Sequence, residues 1–179
     1  MYTIASIAAA CRVLDVNVVK YWPLIDAALH AQELGDAPFE RVVIATIATE
    51  VPNFSPINEL QSRANTHSAP FDVYEKSKSL GNTQPGDGAR FRGRGFVQIT
   101  GRENYTNAGK AVGVNLLSDP DKANEPETSA KILAWFFKTR EARIRAAITK
   151  GDLEGMRKAV NGGVNGLERF AYTYRALGG

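Results

Sequence analysis

Between Asn53 and Gly101 the sequence loses every helical period, and nine positions in that stretch are proline or glycine. It is expected to be loop with a short hairpin, because proline removes a backbone donor and glycine costs backbone entropy. Helical spacing is strong on both sides of it. The chain is therefore expected to fold as a helical domain built around a long irregular insert. Inserts of nearly 50 residues are uncommon in compact domains and tend to carry function.

The helices are read from apolar spacing and end signals. Ile4, Ile7, Cys11 and Leu14 mark one over Thr3 to Leu14. A second is predicted from Trp22-Pro23 to Gly35, with proline in its first turn. A third runs from Pro38 to Glu50, where Pro52 prevents much continuation. Helix resumes over Glu103 to Val112, Pro126 to Thr139 and Arg143 to Thr149. Asp152 caps a short helix that Asn161-Gly162-Gly163 ends, and the last helix carries Leu167, Phe170, Ala171, Tyr174 and Leu177. Trp22, Trp135, Phe136 and Phe137 read as core. With 179 residues, no repeat and no linker, the chain is expected to be one domain over 1–179.

Several classes are excluded. One cysteine allows no disulfide scaffold and no cysteine-based zinc site. His30 and His67 match no metal-ligand spacing, so no metal and no cofactor is expected. No apolar stretch has the roughly 18 residues of a membrane span, so stable membrane insertion is not expected. The N-terminus has no basic region before its mildly apolar start, so no secretory signal is read and a cytoplasmic origin is expected. Net charge is +3. The basic residues form two blocks, Arg90 to Lys110 and Lys138 to Lys158, which would favour an anionic polymer or surface. Nucleic acid, anionic lipid and bacterial wall all fit that description.

Glu50 is the candidate catalytic group. Phe39, Val43, Ile47 and Glu50 fall on one helical stripe, so the carboxylate shares the apolar face. It also sits at the negative end of the helix dipole. Burial and dipole together would keep a carboxylic acid protonated, as general-acid cleavage of a glycosidic bond requires. The alternative is a glutamate turned to solvent or paired with an arginine. Glu59 follows in the loop, and inverting glycosidases use two carboxyls roughly 6.5–9.5 Å apart. Asp72, Glu75 and Asp87 lie in the same insert, so position alone does not select Glu59.

The stretch Phe91-Arg92-Gly93-Arg94-Gly95-Phe96-Val97-Gln98-Ile99-Thr100-Gly101-Arg102-Glu103-Asn104-Tyr105 alternates Gln98 and Thr100 with Val97 and Ile99, as a short strand would. It contains no phosphate-binding glycine pattern. A nucleic-acid reading of its Arg-Gly-Phe mixture is weak, since the patch is not repeated. This stretch closely resembles the signature of glycoside hydrolase family 19, which holds chitinases and bacteriophage or prophage endolysins. Val160-Asn161-Gly162-Gly163-Val164-Asn165-Gly166-Leu167-Glu168-Arg169 resembles the family's second hallmark. With Glu50, these anchors span roughly residues 40 to 175.

The resemblance implies a mainly α, lysozyme-like fold of two lobes, with the long loop and a short β-hairpin lining a substrate groove. It implies an inverting mechanism with Glu50 as general acid, Glu59 as general base and Thr100 helping to hold the water. Gln98, Asn104 and Asn161 match positions that bind sugar or orient the site, and Arg169 matches an arginine near the acid. Tyr74, Phe91 and Tyr105 are the candidates for lining the groove. Two departures stand out. The family's His-Glu-Thr/Ser-Gly is here Thr49-Glu50-Val51-Pro52, and Asn165 stands where plant members carry a glutamate. The lack of plant-type cysteines points to the compact bacterial or phage branch. The expected substrate is peptidoglycan, favoured over chitin by the basic blocks, with wall cleavage following release from the cytoplasm. The expected form is a monomer without nucleic-acid partners. A catalytically inactive wall-polysaccharide-binding module is the alternative from another class.

Overall fold

The computed structural model describes residues 2–178. Its helices are α1 (Ile4–Cys11), α2 (Asp15–Ala31), α3 (Ala37–Glu50), α4 (Asp87–Arg90), α5 (Arg102–Val112), α6 (Pro126–Lys138), α7 (Glu141–Thr149), α8 (Leu153–Asn161) and α9 (Leu167–Ala176). The only sheet among the described residues pairs β1 (Ile57–Asn58) with β2 (Arg94–Gly95), antiparallel, with Ile57 opposite Gly95 and Asn58 opposite Arg94. The mainly helical expectation holds. Among the described residues no helix is long and apolar enough to cross a membrane.

α3 is the axle of the fold. Asp36 caps it by accepting the Phe39 amide, and Pro38 occupies the first turn, where its missing donor costs nothing. Every residue from Val42 to Ala48 is buried, so the helix is surrounded and not merely docked by one stripe. α1, α7, α8 and α9 pack on it, drawing both ends of the sequence to the same helix. Fully burying one of its valines or isoleucines is worth about 1.5–3 kcal/mol, which makes this helix the main apolar anchor.

Two boundaries differ from expectation. α1 ends at Cys11 because Arg12 turns left-handed, leaving Leu14 exposed. α2 begins at Asp15, so Pro23 lies inside it and not in its first turn. The proline withholds one hydrogen bond from Val19, on an exposed face. Val18, Trp22, Ile25 and Leu29 are buried on the opposite side, which packs against α6, and that burial carries the helix through.

The irregular insert is held by a second, smaller core. Phe91, Ile99, Tyr105, Ala108, Leu116, Ala123 and Ile132 form it, with Val97 partly buried against both cores. Val97 to Thr100 is not a strand. Arg94 bridges to Ile99, and Gln98 sits at the turn with φ 50°. The insert's carboxylates fold it locally. Asp72 accepts the amides of His67, Ser68 and Ala69, and Glu75 accepts those of Gly86 and Gly88. Asp87, 1% exposed, takes the Thr83 and Gln84 amides and the Arg102 guanidinium.

Arg102 and the capping amides hold the Asp87 carboxyl below its ordinary range. Its contribution to stability is thus present above the unfolded carboxylate range and lost as pH falls through that range toward the folded value. Urea unfolding from pH 6 to pH 2 is expected to show a steeper acid loss for wild type than for Asp87→Asn.

A glycine pair gives a second test. Gly162 and Gly166 both have positive φ, 74° and 75°. A Cβ on Gly162 would meet open space, whereas one on Gly166 would lie 2.4 Å from Thr49 Cγ2 at the end of α3. Gly162→Ala should cost only the left-handed penalty, about 1–2 kcal/mol. Gly166→Ala should cost clearly more in the same unfolding assay, and equal costs would contradict the packing of this turn on α3.

Candidate active site

Glu50 ends α3, and its side chain is 25% exposed. Arg157 Nη1, from α8, lies 2.7 Å from Glu50 Oε1. That nitrogen has no directed hydrogen-bond partner, so the contact is a charge pairing without a well-aligned N–H. Arg157 is almost wholly buried, and its Nε donates to the Asn165 carbonyl. The turn between α8 and α9 therefore holds the guanidinium in place. The apolar setting read from the helical stripe is corrected to an ion pair, one of the two alternatives left open above.

Arg169, expected near the acid, binds the backbone two residues before it. Its Nε donates to the Ala48 carbonyl and its Nη2 to the Cys11 carbonyl, satisfying groups at the ends of α3 and α1. A cation there complements the negative helix ends. Arg169 positions the end of α3, and Arg157 is the arginine that touches Glu50. Nothing in the local sequence of α8 marks Arg157, since the pairing spans more than a hundred residues.

Glu59 is held by three donors. Oε1 accepts from Tyr74 Oη at 2.7 Å and Asn65 Nδ2 at 2.8 Å, and Oε2 accepts the Gly93 amide at 2.9 Å. The Glu59 amide in turn donates to the Gly93 carbonyl. A carboxylate offers about four acceptor sites, so one remains open, on Oε2. Burial and the Glu59 charge push the Tyr74 phenol up to about 12, which keeps it a proton donor to Glu59. Tyr74 thus orients the carboxylate. A Cβ at Gly93 would lie 3.1 Å from Glu59 Oε2 and 2.8 Å from Gln98 Oε1, so the close approach needs glycine.

A cavity of about 700 Å³ opens between the insert with α5 and the α6–α8 side. Gln98, Thr100, Asn104 and Asn161 all line it, which brings four expected substrate-facing residues to one wall. Gln98 spends both amide protons on the Ile57 and Gly95 carbonyls, tying the β1–β2 corner. Thr100 donates to the Gln98 carbonyl and Asn104 to the Thr100 carbonyl, leaving acceptor oxygens for a ligand. Trp135 and Phe136, read as core, also line the cavity and are only half-buried. Arg140 lies 3.6 Å over the Phe136 ring, so Trp135 is the less covered aromatic surface.

Phe91 and Tyr105 do not line a groove. Both are 0% exposed in the second core, and the Tyr105 hydroxyl donates to the Arg92 carbonyl while accepting from Arg94. The aromatic signal was real, but these rings fill the insert's own core. The basic blocks are corrected in the same way. Arg94 pairs with Asp121 and Arg102 with Asp87, and Arg90 and Arg92 donate to backbone carbonyls. Lys138, Arg145 and Lys158 also have carboxylate partners. Of the cavity-lining cations, Arg140 and Arg143 have no acidic partner among the described residues, and no acid lines that cavity. Burial and the Arg143 charge lower the Arg140 pKa.

Removing the cation from the Arg157–Glu50 pair should destabilise the fold. A fully buried pair loses roughly 3–5 kcal/mol on losing one partner. Because Glu50 is partly exposed, Arg157→Met is expected to cost about 2–3 kcal/mol, measured by urea unfolding against Glu50→Gln.

Residues 63–150 match the family described as chitinase class I, glycoside hydrolase family 19. A glycosyl hydrolase family 19 domain-containing protein of Haemophilus influenzae is 32% identical over 105 residues, covering 59% of this chain and 50% of its own length. Chitinase 4 of Oryza sativa is 36% identical over 94 residues, covering 52% of this chain and 30% of its own. The chain thus spans half or less of these relatives. A crystal structure of a chitinase C variant superposes with a TM-score of 0.70 at 19% identity, covering 98% of this chain and 92% of that one, which establishes a shared fold.

Proposed function

Since residues 63–150 match glycoside hydrolase family 19, we propose that the chain hydrolyses β-1,4-linked polymers containing N-acetylglucosamine, with peptidoglycan as the preferred substrate. The observation that carries the reading is the pair of differently held carboxylates. Glu50 meets one guanidinium at Oε1, and Glu59 is fixed by three donors with one acceptor site open. In an inverting cleavage, Glu50 gives its proton to the leaving oxygen. Glu59 takes a proton from water through its open site while Tyr74 and Asn65 keep its orientation. The family resemblance assigns Thr100 to that water. Gln98 holds the corner on which Thr100 sits, and Asn104 and Asn161 offer polar groups to the sugar.

Arg140 and Arg143 support the choice of peptidoglycan. Two cations without acidic partners in a glycan-sized cavity suit a strand that carries lactyl and peptide carboxylates. Chitin is the second reading, supported by the relatives named as chitinases.

Purified peptidoglycan and soluble chitin oligomers separate the two by released reducing ends. Glu50→Gln and Glu59→Gln are each expected to lower hydrolysis by about 10²–10⁴-fold. Replacing Arg140 and Arg143 together by alanine should slow peptidoglycan cleavage by roughly tenfold and leave chitin-oligomer cleavage nearly unchanged. Faster cleavage of chitin than of peptidoglycan by wild type, with no effect of the double variant, would establish the second reading. Binding of either polymer without any hydrolysis would leave only the inactive-module alternative.

A further inference from the structure

Outside the cavity lining, the last two turns of α2 and the first turn of α3 bring three ionisable groups together. Asp26 and His30 are four residues apart on one face of α2, and Glu40 reaches them from α3. One donor atom from each lies within 4.8 Å of the others. Glu40 is 1% exposed, yet its Oε2 has no hydrogen-bond partner, and neither has Asp26 Oδ1. Leaving buried carboxylate oxygens without a partner is costly, and either a shared proton or a cation between them removes that cost. His30 is the only basic side chain paired with either carboxylate among the described residues, at 3.4 Å from Asp26.

Gly35 is built around this cluster. A Cβ there would lie 2.5 Å from three atoms of the His30 ring, so any larger residue would expel the imidazole. The ring is also half exposed, with 51% of its side chain accessible, which leaves a path for an ion from solvent.

We propose that Asp26, His30 and Glu40 form a binding site for one divalent cation of the zinc class, which ties α2 to α3 across residues 32–36. Two carboxylate oxygens and one imidazole nitrogen make a three-ligand set that leaves a further position for water. Calcium is disfavoured, since it takes six to eight oxygen ligands. Zinc bonds of about 2.0–2.2 Å require the donors to draw closer than their present limit, so on binding His30 gives up its 2.9 Å contact between Nδ1 and the Asp26 carbonyl. The cation stabilises the folded chain because the unfolded chain does not hold the three groups together. The site is independent of the glycan-cleaving residues.

The test uses tag-free, EDTA-treated protein titrated with Zn²⁺ by calorimetry, with Co²⁺ absorption reporting the ligand geometry. Wild type is expected to bind one ion per chain, with Tm rising by about 5 °C or more at a hundredfold excess over Kd. His30→Ala, at an exposed position, should weaken binding by at least about tenfold, and Glu40→Gln should do the same with its circular dichroism unchanged. His67→Ala should bind as wild type does. No uptake by wild type at 1 mM Zn²⁺ would mean the carboxylates merely share a proton, and the proposal would be wrong. Uptake that survives His30→Ala would also overturn it, by showing adventitious surface binding.

Discussion

A guanidinium with 3% of its side chain exposed must be given partners by the fold, because an unpaired buried charge would cost several kcal/mol. Arg157 receives two, the Glu50 carboxylate and the Asn165 carbonyl. That requirement links parts of the chain with no local reason to meet. It fixes α8 against the end of α3, shapes the Asn161–Gly166 turn and brings Gly166 onto Thr49. Arg169 supports the same place from α9, by holding the Ala48 carbonyl. The same α8 also carries Lys158 and Asn161 to the cavity, so the placement of Glu50 and the shape of the groove depend on one helix.

The irregular insert solves a different problem. It has few apolar residues, yet its backbone must be satisfied without long ladders. Four acids do this work: Asp72, Glu75, Asp87 and Glu59 each accept backbone amides. The first three close their turns around themselves or an arginine. Glu59 differs in its donors, since a tyrosine hydroxyl and an asparagine amide hold it together with one backbone amide.

The helices were legible because their apolar residues recur at helical spacing and their caps are local. α3 was read almost to its observed limits for that reason. α2 was started too late because Pro23 was placed at a helix start, although packing on α6 carries the helix past it. Glu50, Glu59, Gln98, Thr100, Asn104 and Asn161 were singled out largely through the family resemblance, and the last four line one cavity. Arg157 was not, because an ion pair between distant helices leaves no local pattern. Phe91 and Tyr105 were misplaced because aromatics in a glycine-arginine stretch look exposed until a second core forms around them.

The encirclement of α3 also bears on when the fold can close during synthesis. α1 and α3 leave the ribosome early, but α8 and α9, which cover α3 and supply Arg157 and Arg169, are made more than a hundred residues later. Until then the apolar surface of α3 has no permanent cover, and the nascent chain depends on chaperones or on transient self-contact to stay soluble. Glu50 can meet Arg157 only once α8 has been made, so the end of α3 is the part of the fold completed last.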